Sequence, residues 1–426
     1  MSTYAGLVST SAGTVSASIY VDEQIYRREM THIFGRSWLF LCHESSISKP
    51  GDFITTSMGP DPVVVSRTRD GRIAAFLNQC RHRGMRICRA DQGNAKSFTC
   101  TYHGWNYDNE GTLRQVPHFE DGYFSSLDLS HWGARPVPRI DNYRGLVFAT
   151  WDPEAPSLLD WLGDMAWYLD SFINRWPRTE VAGPATRWII GCNWKLPSEQ
   201  FASDAYHAES SHISALMAQA PDQADSDDLR FDPSLAGAQF SSDLGHGTGF
   251  FLVEAPDMTN YGPEVEAYRR KSRDAEVERL GELRATVVRG HNTVFPNFSF
   301  LNGTNTLRVW HPRGPGRIEV MTWTLVDADA PAEVKDAMRK NAVRTFTASG
   351  IFEAEDGENW AEIQALLESG SMVRQTDFNV SMGLGQHSQD AHGLPGRISH
   401  MFSEEAARGF YRRWAQLMDE DLAGAR

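Results

Sequence analysis

Four metal-binding side chains stand in two mixed pairs: Cys80 and His82 are separated by one residue, and Cys100 and His103 by two. Seventeen residues lie between the pairs. Two thiolates and two imidazoles are the ligand set of a Rieske [2Fe–2S] centre, in which the cysteines hold one iron and the histidines hold the other. Neutral imidazoles raise the reduction potential of such a cluster above that of an all-cysteine cluster. The motif therefore predicts a site that passes single electrons.

Structural zinc is the alternative for four such ligands. Zinc sites usually contain Cys-x-x-Cys pairs followed by histidine pairs, whereas here each pair is mixed. Gly84 and Gly104 closely follow the two histidines, so each pair is expected at a tight turn. Two short loops of this kind would clamp a cluster from opposite sides, which favours the Rieske interpretation over zinc or over four unrelated residues.

A second group of residues indicates where the electrons go. Asp204, His207 and His212 form an Asp-x-x-His-x-x-x-x-His motif, and the acidic segment 353–359 lies far downstream. Two histidines and one carboxylate form the facial triad of non-haem Fe(II) oxygenases, which leaves three coordination positions open. A spacing of five does not place both histidines on one face of a regular α-helix, and taken alone they would be ordinary residues. A local bulge in a helix would bring them together, and such bulges occur at functional sites.

At this point the chain resembles the large (α) subunits of Rieske non-haem iron aromatic-ring-hydroxylating dioxygenases. The similarity runs from residue 26 nearly to the end and fades after Trp414. Besides the two metal motifs, the matching segments are residues 26–29 (YRRE), 34–38 (FGRSW), 193–196 (NWKL), 291–297 (HNTVFPN) and 310–315 (WHPRGP). The pattern is similar to the naphthalene, biphenyl and polycyclic or dibenzofuran dioxygenase branch.

The resemblance implies the roles of the site residues. Cys80, His82, Cys100 and His103 would hold the Rieske cluster, and His207, His212 and Asp356 would hold a mononuclear Fe(II). Asp356 is preferred to its neighbour Glu355 because it directly precedes Gly357, as the ligand does in the family pattern. Asp204 would bridge His207 to His103 of a neighbouring subunit, and a carboxylate that accepts from an imidazole N–H is a common device around metal sites. A surface aspartate is the alternative for Asp204.

The resemblance also implies the reaction and the partners. Electrons from NAD(P)H would arrive through a reductase and a ferredoxin, pass through the cluster to the iron, and allow O₂ to cis-dihydroxylate an aromatic ring. The chain would be the terminal oxygenase component, assembled as an α3 trimer or capped by small β subunits as α3β3. We expect an uncharged hydrocarbon of two or more rings as substrate, because no arginine stands beside the iron motif to fix a carboxylate.

Residues that flank the iron ligands are candidates for the substrate pocket. Apolar and aromatic side chains with few polar groups suit an uncharged aromatic hydrocarbon. Family members usually carry asparagine where Gln200 stands, so the longer side chain is expected to change the shape of the pocket. The candidates are Gln200, Phe201, Ala202, His291, Asn297, Leu301, Phe346 and Phe352.

Composition excludes several classes of protein. The 426 residues suffice for two or three domains, and the net charge of −14 argues against binding to nucleic acid. The five cysteines form no paired framework, which is typical of a reducing compartment. No signal peptide and no apolar run long enough to cross a membrane is apparent in the sequence. We therefore expect a cytoplasmic enzyme.

Periodicity predicts an α+β protein. The resemblance implies the domain architecture: residues 1–36 as an N-terminal helical segment of the catalytic domain, 37–155 as an inserted antiparallel β Rieske domain, and 156–426 as the catalytic domain with a large antiparallel sheet flanked by helices. Expected helices are 23–36, 157–174, 264–284, 332–347 and 404–422. Expected strands are 53–57, 62–67, 73–77, 97–101, 145–151, 186–192, 306–311 and 317–327. Residues 219–247 read as a long loop, either covering the pocket entrance or only solvated.

Two other functions use the same motifs. One is a Rieske monooxygenase, demethylase or salicylate-type hydroxylase that acts on a substituted substrate with the same metals. The other is an electron-transfer protein that uses only the cluster, which the length and the second motif disfavour.

Overall fold

The computed structural model describes residues 4–219, 237–253, 261–386 and 393–420. The chain forms two compact units, a small unit of Phe34–Leu158 and a large unit of Met1–Ile33 with Leu159–Arg426. The helices in the described parts are α1 Glu23–His32, α2 Leu158–Leu162, α3 Met165–Ile173, α4 Lys195–Ser203, α5 Ile213–Gln219, α6 Pro263–Leu280, α7 Glu282–Thr286, α8 Ala332–Thr345, α9 Ile351–Ser369 and α10 Glu405–Asp419.

The strands that the structure describes divide between these two units. Those of the small unit are β3 Leu39–His43, β4 Asp52–Met58, β5 Asp61–Arg67, β6 Ile73–Leu77, β7 Gln92–Asn94, β8 Ser97–Thr99, β9 Asn106–Asp108, β10 Leu113–Gln115, β11 Arg139–Tyr143 and β12 Leu146–Thr150. Those of the large unit are β1 Val8–Ser9, β2 Thr14–Ser16, β13 Thr179–Val181, β14 Thr186–Ile190, β15 Gly237–Ser241, β16 Gly247–Leu252, β17 Val287–Val294, β18 Phe298–Leu301, β19 Thr306–Pro312, β20 Ile318–Asp327, β21 Asp377–Asn379 and β22 Arg397–His400.

The small unit consists of antiparallel sheets. Their strand orders are β6-β5-β4-β7, β10-β9-β8 and β11-β12-β3. Phe98 packs edge-on against Phe53 and Phe76, with ring centroids 5.0 and 6.0 Å apart. The same buried core includes Cys80 and Cys100. The two loops with the Cys/His pairs therefore rest directly on the apolar core of this unit.

The large unit is built on one antiparallel sheet. Within the described residues its order is β13-β20-β19-β18-β17-β16-β15-β22, and β14 also pairs with β20. Helices α4 and α10 pack against the sheet. The N-terminal helix α1 belongs here, because the buried Glu29 accepts from Lys195 Nζ at 2.6 Å and from Trp414 Nε1 at 2.7 Å. The expected α+β fold is confirmed, with a β unit inserted between α1 and the rest of the large unit.

Several boundaries differ from the sequence prediction because glycines and turns end helices early. Helix α1 ends at His32 rather than at residue 36. The helix expected over 157–174 is split into α2 and α3 around Gly163, which has φ +49°. The helix expected over 264–284 breaks at Gly281, which has φ +78°. Positive φ is easily adopted only by glycine, so these positions favour a break.

The prediction of a long loop over residues 219–247 is wrong for the last part of that segment. Residues 237–241 form β15 and Gly247 begins β16, which pairs with β15 and β17. Residues 220–236 lie outside the described residues. Helix α9, which was not predicted, carries Asp356, and α4, which was also not predicted, carries Gln200 and ends just before Asp204.

Candidate metal centres

The two Cys/His loops of the small unit have the same backbone turn. The amide of each cysteine donates to the carbonyl five residues on, at 2.7 Å for Cys80 and 2.8 Å for Cys100. The amides of Gly84 and Gly104 donate back to the cysteine carbonyls, at 2.9 Å in both loops. Both glycines have positive φ, +75° and +72°. Glycine is the residue that takes this conformation without steric cost, so the sequence specifies both turns locally.

The side chains of the four residues converge in a way that fits a [2Fe–2S] cluster. The imidazole rings of His82 and His103 lie 4.4 Å apart, and the thiols of Cys80 and Cys100 are buried within hydrogen-bonding reach of each other. Among the described residues, no group hydrogen-bonds to the buried Nδ1 of His82. A buried nitrogen without a partner is costly unless something binds it, and iron would.

Two aromatic residues support this site. Trp105 stacks on His82 with ring centroids 5.1 Å apart and planes 8° apart. The hydroxyl of the buried Tyr107 lies 3.3 Å from Cys80 Sγ and accepts the Arg81 amide at 3.1 Å. A donor to a cysteine sulfur is one of the groups that tune the potential of an iron–sulfur cluster.

The candidate iron ligands come from two distant segments of the large unit. Asp204 is the C-cap residue of α4, and His207 lies in the 3₁₀ turn Tyr206–Glu209 that follows. His212 immediately precedes α5, and Asp356 lies in the second turn of α9. The expectation of a bulged helix is wrong: a 3₁₀ turn and a tight bend between α4 and α5 bring the two histidines together.

Three candidate ligand atoms form a nearly equilateral triangle. His207 Nε2 lies 3.1 Å from His212 Nε2 and 3.2 Å from Asp356 Oδ1, and His212 Nε2 lies 3.4 Å from the same oxygen. Adjacent ligands about 2.2 Å from an octahedral metal ion are about 3.1 Å apart, so the triangle has the size of one octahedral face. Its donor set, two imidazoles and one carboxylate, fits Fe(II).

A carboxylate contacts the far nitrogen of each histidine. Asp204 Oδ2 lies 3.2 Å from His207 Nδ1, and Glu355 Oε2 lies 2.8 Å from His212 Nδ1. Ser214 also donates to Glu355 at 2.7 Å. Carboxylates in this position orient metal-binding imidazoles and increase their basicity. Glu355 thus faces the side of His212 opposite to the triangle, whereas Asp356 faces into it.

Electrostatics favour an ionised Asp356 and a protonated His207. Burial raises the pKa of Asp356, but the two histidines outweigh this effect and hold that pKa well below its usual value. Burial lowers the pKa of His207, but Asp204 and Asp356 outweigh it and raise the pKa to about 10. Without a metal ion His207 is therefore protonated, and a bound cation would replace that proton.

Some of the expected pocket residues lie at the triangle. Gln200 Nε2 donates to Asp356 Oδ1 at 2.8 Å and lies 3.3 Å from His207 Nε2. Phe352 packs edge-on against His212 at 5.1 Å and stacks on Phe346 at 5.3 Å. These two rings give one side of the iron site an apolar wall.

Other expected pocket residues have a packing role. Asn297 is buried and donates to the carbonyl of Trp310 at 3.1 Å, which ties the turn between β17 and β18 to β19. Ala202 is buried and packs against Gly247. A Cβ atom added at Gly247 would lie 2.8 Å from the carbonyl oxygen of Ala202 and 3.1 Å from its Cβ. Leu301 is partly buried and pairs with His291 across β17 and β18.

His291 contacts Phe201 directly. His291 Nδ1 lies 3.1 Å from the carbonyl oxygen of Phe201. Burial lowers the pKa of His291 to about 4, so the imidazole is neutral. Because Nδ1 of the neutral ring donates to this carbonyl, Nε2 is a hydrogen-bond acceptor. Among the described residues, no donor hydrogen-bonds to Nε2.

Sequence reasoning missed two features of the site. Trp360 is buried on α9, one turn after Asp356, and donates to Gln200 Oε1 at 2.6 Å. Arg308 is fully buried and forms an ion pair with Glu353 at 2.7 Å. Its guanidinium lies 4.8 Å from the centroid of the Phe201 ring. Only the helical spacing of Glu353, Asp356 and Trp360 could have signalled that these side chains share a face.

In the part of the chain that the structure describes, no helix combines the length and the apolar character that crossing a membrane requires.

Comparisons with known proteins cover nearly the whole chain. A family model for the Rieske [2Fe-2S] domain matches residues 37–132, and one for the ring hydroxylating alpha subunit (catalytic domain) matches residues 158–420. The chain is 48% identical over 421 residues to the chlorobenzene dioxygenase subunit alpha of Cupriavidus sp. (strain PS12), which covers 97% of this chain and 92% of that protein. It is 48% identical over 423 residues to the biphenyl 2,3-dioxygenase subunit alpha of Rhodococcus jostii (strain RHA1), with 97% and 91% covered. A solved structure of naphthalene 1,2-dioxygenase with indole bound in the active site matches with a TM-score of 0.92 at 34% identity, over 98% of this chain and 95% of that one.

Proposed function

Because the chain belongs to the family of ring-hydroxylating dioxygenase alpha subunits, we propose that it is the terminal oxygenase that adds both atoms of O₂ to an uncharged aromatic hydrocarbon. The observation that carries this proposal is the triangle of His207, His212 and Asp356 in the same chain as two equivalent Cys/His turns. The first arrangement suits a mononuclear Fe(II) and the second a Rieske cluster.

The side chains of the chain have distinct roles in this proposal. When bound, the cluster supplies single electrons, and the Fe(II) supplies the centre at which O₂ is reduced and delivered to the ring. His207, His212 and Asp356 would hold the Fe(II) through three ligand atoms, and a three-ligand set of this kind would leave coordination positions open to O₂. Asp204 and Glu355 hold the two imidazoles in orientation.

An uncharged substrate is supported by the charges around the site. Phe346 and Phe352 present apolar rings next to His212. The Arg308 guanidinium lies 5.4 Å from the centroid of the Phe346 ring, and Glu353 neutralises it. A carboxylated substrate would need a cation that is not already paired. Relatives at 48% and 47% identity are named for chlorobenzene, biphenyl and benzene, so we include one-ring hydrocarbons with the two-ring ones.

Labelled oxygen tests the reaction. The oxygenase, supplied with a compatible ferredoxin and reductase, is given ¹⁸O₂ and benzene, chlorobenzene, biphenyl or naphthalene, with benzoate and salicylate as charged controls. We expect a dihydrodiol that carries two labelled oxygens from at least one hydrocarbon, and no product from the charged controls. A product with one labelled oxygen would replace this proposal by a monooxygenase.

We also propose that the chain works as an α3 or α3β3 assembly in which electrons cross between subunits. The route would run from His103 of the partner subunit through Asp204 to His207. In support, Asp204 keeps 33% of its side chain exposed although it contacts His207, and Tyr102, next to His103, is 57% exposed. Both ends of the route are therefore open to another chain.

The variant Asp204→Asn tests this route. It keeps the size of the side chain but removes the charge that holds two imidazoles together. We expect both metal centres to be retained and the transfer of electrons between them, measured in a single turnover, to become very slow. A normal single-turnover rate in this variant, or full activity of a verified monomer, would contradict the route.

A further inference from the structure

A hydrogen-bonded bridge joins two residues of α9 through one residue of α4. Trp360 Nε1 donates to Gln200 Oε1 at 2.6 Å, and Gln200 Nε2 donates to Asp356 Oδ1 at 2.8 Å. Asp356 and Trp360 are four residues apart on α9, so their side chains lie on one face of that helix. The Gln200 amide fills the space between them.

The partner of the amide oxygen decides which end of Gln200 faces the candidate iron ligands. An indole N–H can only donate, so the amide atom next to Trp360 must be the oxygen. The NH₂ end then points at Asp356 Oδ1 and His207 Nε2, two of the three atoms of the triangle. Trp360 is 1% exposed and packs edge-on against Trp310 at 5.5 Å, so its ring is held in place.

We propose that Trp360 is a positioning residue that keeps the amide oxygen of Gln200 turned away from the iron, so that Gln200 cannot become a fourth protein ligand. This inference rests on the proposed mononuclear iron site. An amide oxygen is a suitable ligand for a hard divalent cation, whereas an amide NH₂ is not. The Gln200 amide lies next to two atoms of the triangle, so a reversed amide would bring its oxygen within reach of a cation held there.

The same bridge restrains Asp356. One donor hydrogen of Gln200 is directed at Oδ1, the carboxylate oxygen that belongs to the triangle. A donor fixed on that oxygen restricts rotation of the carboxylate and favours binding through one oxygen. Trp360 therefore acts on the metal site through Gln200, without contacting it.

The test combines Trp360→Phe with Gln200→Leu. Trp360→Phe removes the indole N–H and keeps an aromatic ring, and Gln200→Leu removes the amide. Apoprotein depleted of the mononuclear metal is loaded with Co(II), whose visible absorption reports the coordination number. The release of Fe(II) to a chelator is the second readout. Neither readout requires turnover.

We expect Trp360→Phe to change the Co(II) spectrum toward higher coordination in the wild-type background and to leave it unchanged in the Gln200→Leu background. Gln200→Leu alone should release Fe(II) faster, by about tenfold, because Asp356 loses its donor. A double-mutant cycle on the release rate should show strong coupling between the two positions. An unchanged spectrum in Trp360→Phe, or the same change in both backgrounds, would overturn the inference.

Trp310→Phe is the matched control. Trp310 is a buried tryptophan that packs against Trp360, but its Nε1 donates to Ser299 at 2.8 Å. Loss of that bond should lower the unfolding temperature without changing the Co(II) spectrum, and a change as large as that of Trp360→Phe would count against the inference. If the wild-type protein binds no Fe(II) outside the cluster, the proposed function fails. If it does bind Fe(II) and the variants behave alike, only this inference fails.

Discussion

The two candidate metal centres are held in different ways. The cluster residues lie within residues 80–103, and two backbone turns with glycines at positive φ place them. The candidate iron ligands lie on segments separated by more than 140 residues in sequence, and side-chain contacts place them: Asp204 and Glu355 face the histidines, and Gln200 donates to Asp356. The cluster site therefore depends on backbone conformation, whereas the candidate iron site depends on individual side chains. Substitutions should therefore break the two sites through different kinds of residue.

The largest expected effect separates Asp356 from Glu355. Asp356→Ala removes an atom of the triangle and should abolish both the mononuclear iron and oxygenation. Glu355→Ala removes the contacts to His212 Nδ1 and Ser214 but no atom of the triangle, and should weaken iron binding by about 10- to 100-fold. Iron analysis and product formation check both variants, and the Rieske signal should survive in each. Full activity in Asp356→Ala with loss in Glu355→Ala would show that Glu355 is the ligand.

The two turn glycines should differ in their tolerance of alanine. Both have positive φ, which costs an alanine about 1–2 kcal/mol. A Cβ at Gly104 would also lie 2.9 Å from Pro117 Cγ, whereas at Gly84 its nearest neighbour would be Gln79 Nε2 at 3.7 Å. Gly104→Ala should therefore lose more cluster per chain than Gly84→Ala, as measured by iron and sulfide content. Equal losses of iron and sulfide in the two variants would mean that backbone strain alone determines the loss of the cluster.

A smaller effect is expected from Tyr107→Phe. The phenol hydroxyl lies 3.3 Å from Cys80 Sγ, and a donor to the sulfur stabilises the reduced, more negative cluster. Its loss should leave the cluster in place and lower the reduction potential by roughly 40 mV, the equivalent of a hydrogen bond of about 1 kcal/mol for one electron. Redox titration of the Rieske signal measures the shift. An unchanged potential would show that the hydroxyl serves only the Arg81 amide.

The smallest expected effect is that of Glu199 on the pH dependence of the free energy of unfolding. Burial and, after it, repulsion by Asp204 raise the pKa of Glu199 to about 8, while hydrogen bonds from Ser203 and Tyr411 oppose this shift. A raised carboxyl pKa means that stability is fully present below the unfolded value of 4.5 and is lost as the pH rises through about 8. Glu199→Gln cannot ionise, so its free energy of unfolding should fall less between these pH values. Urea unfolding at about pH 5.5 and about pH 8.5 checks this, and parallel curves for both proteins would contradict it.

The same comparison explains what the sequence could predict. The cluster residues were recognisable because a short local segment contains all four ligands and the glycines of both turns. Strands with clear alternation were also predictable, and β6 has the expected bounds of 73–77. The residue types of the candidate iron site were predictable from their motif.

The local geometry of the iron site was not predictable. The spacing of five residues between the histidines suggested a bulged helix. Instead, α4 ends at its C-cap residue Asp204, whose side chain accepts a hydrogen bond from the backbone amide of His207 at 3.0 Å, and a 3₁₀ turn follows. Helix α9 was missed because its apolar residues follow no clear helical period and it contains Gly357, a poor helix former. Tertiary packing of Trp360 and Leu367 stabilises it, and such contacts are not visible in a local pattern.

Quantitative metal analysis of the purified chain tests the central claim that one polypeptide holds two different iron centres. The wild-type protein should contain about three iron atoms and two inorganic sulfides per chain, and His212→Ala should lose about one iron and no sulfide. Zinc without sulfide, or the loss of iron and sulfide together in His212→Ala, would contradict the account.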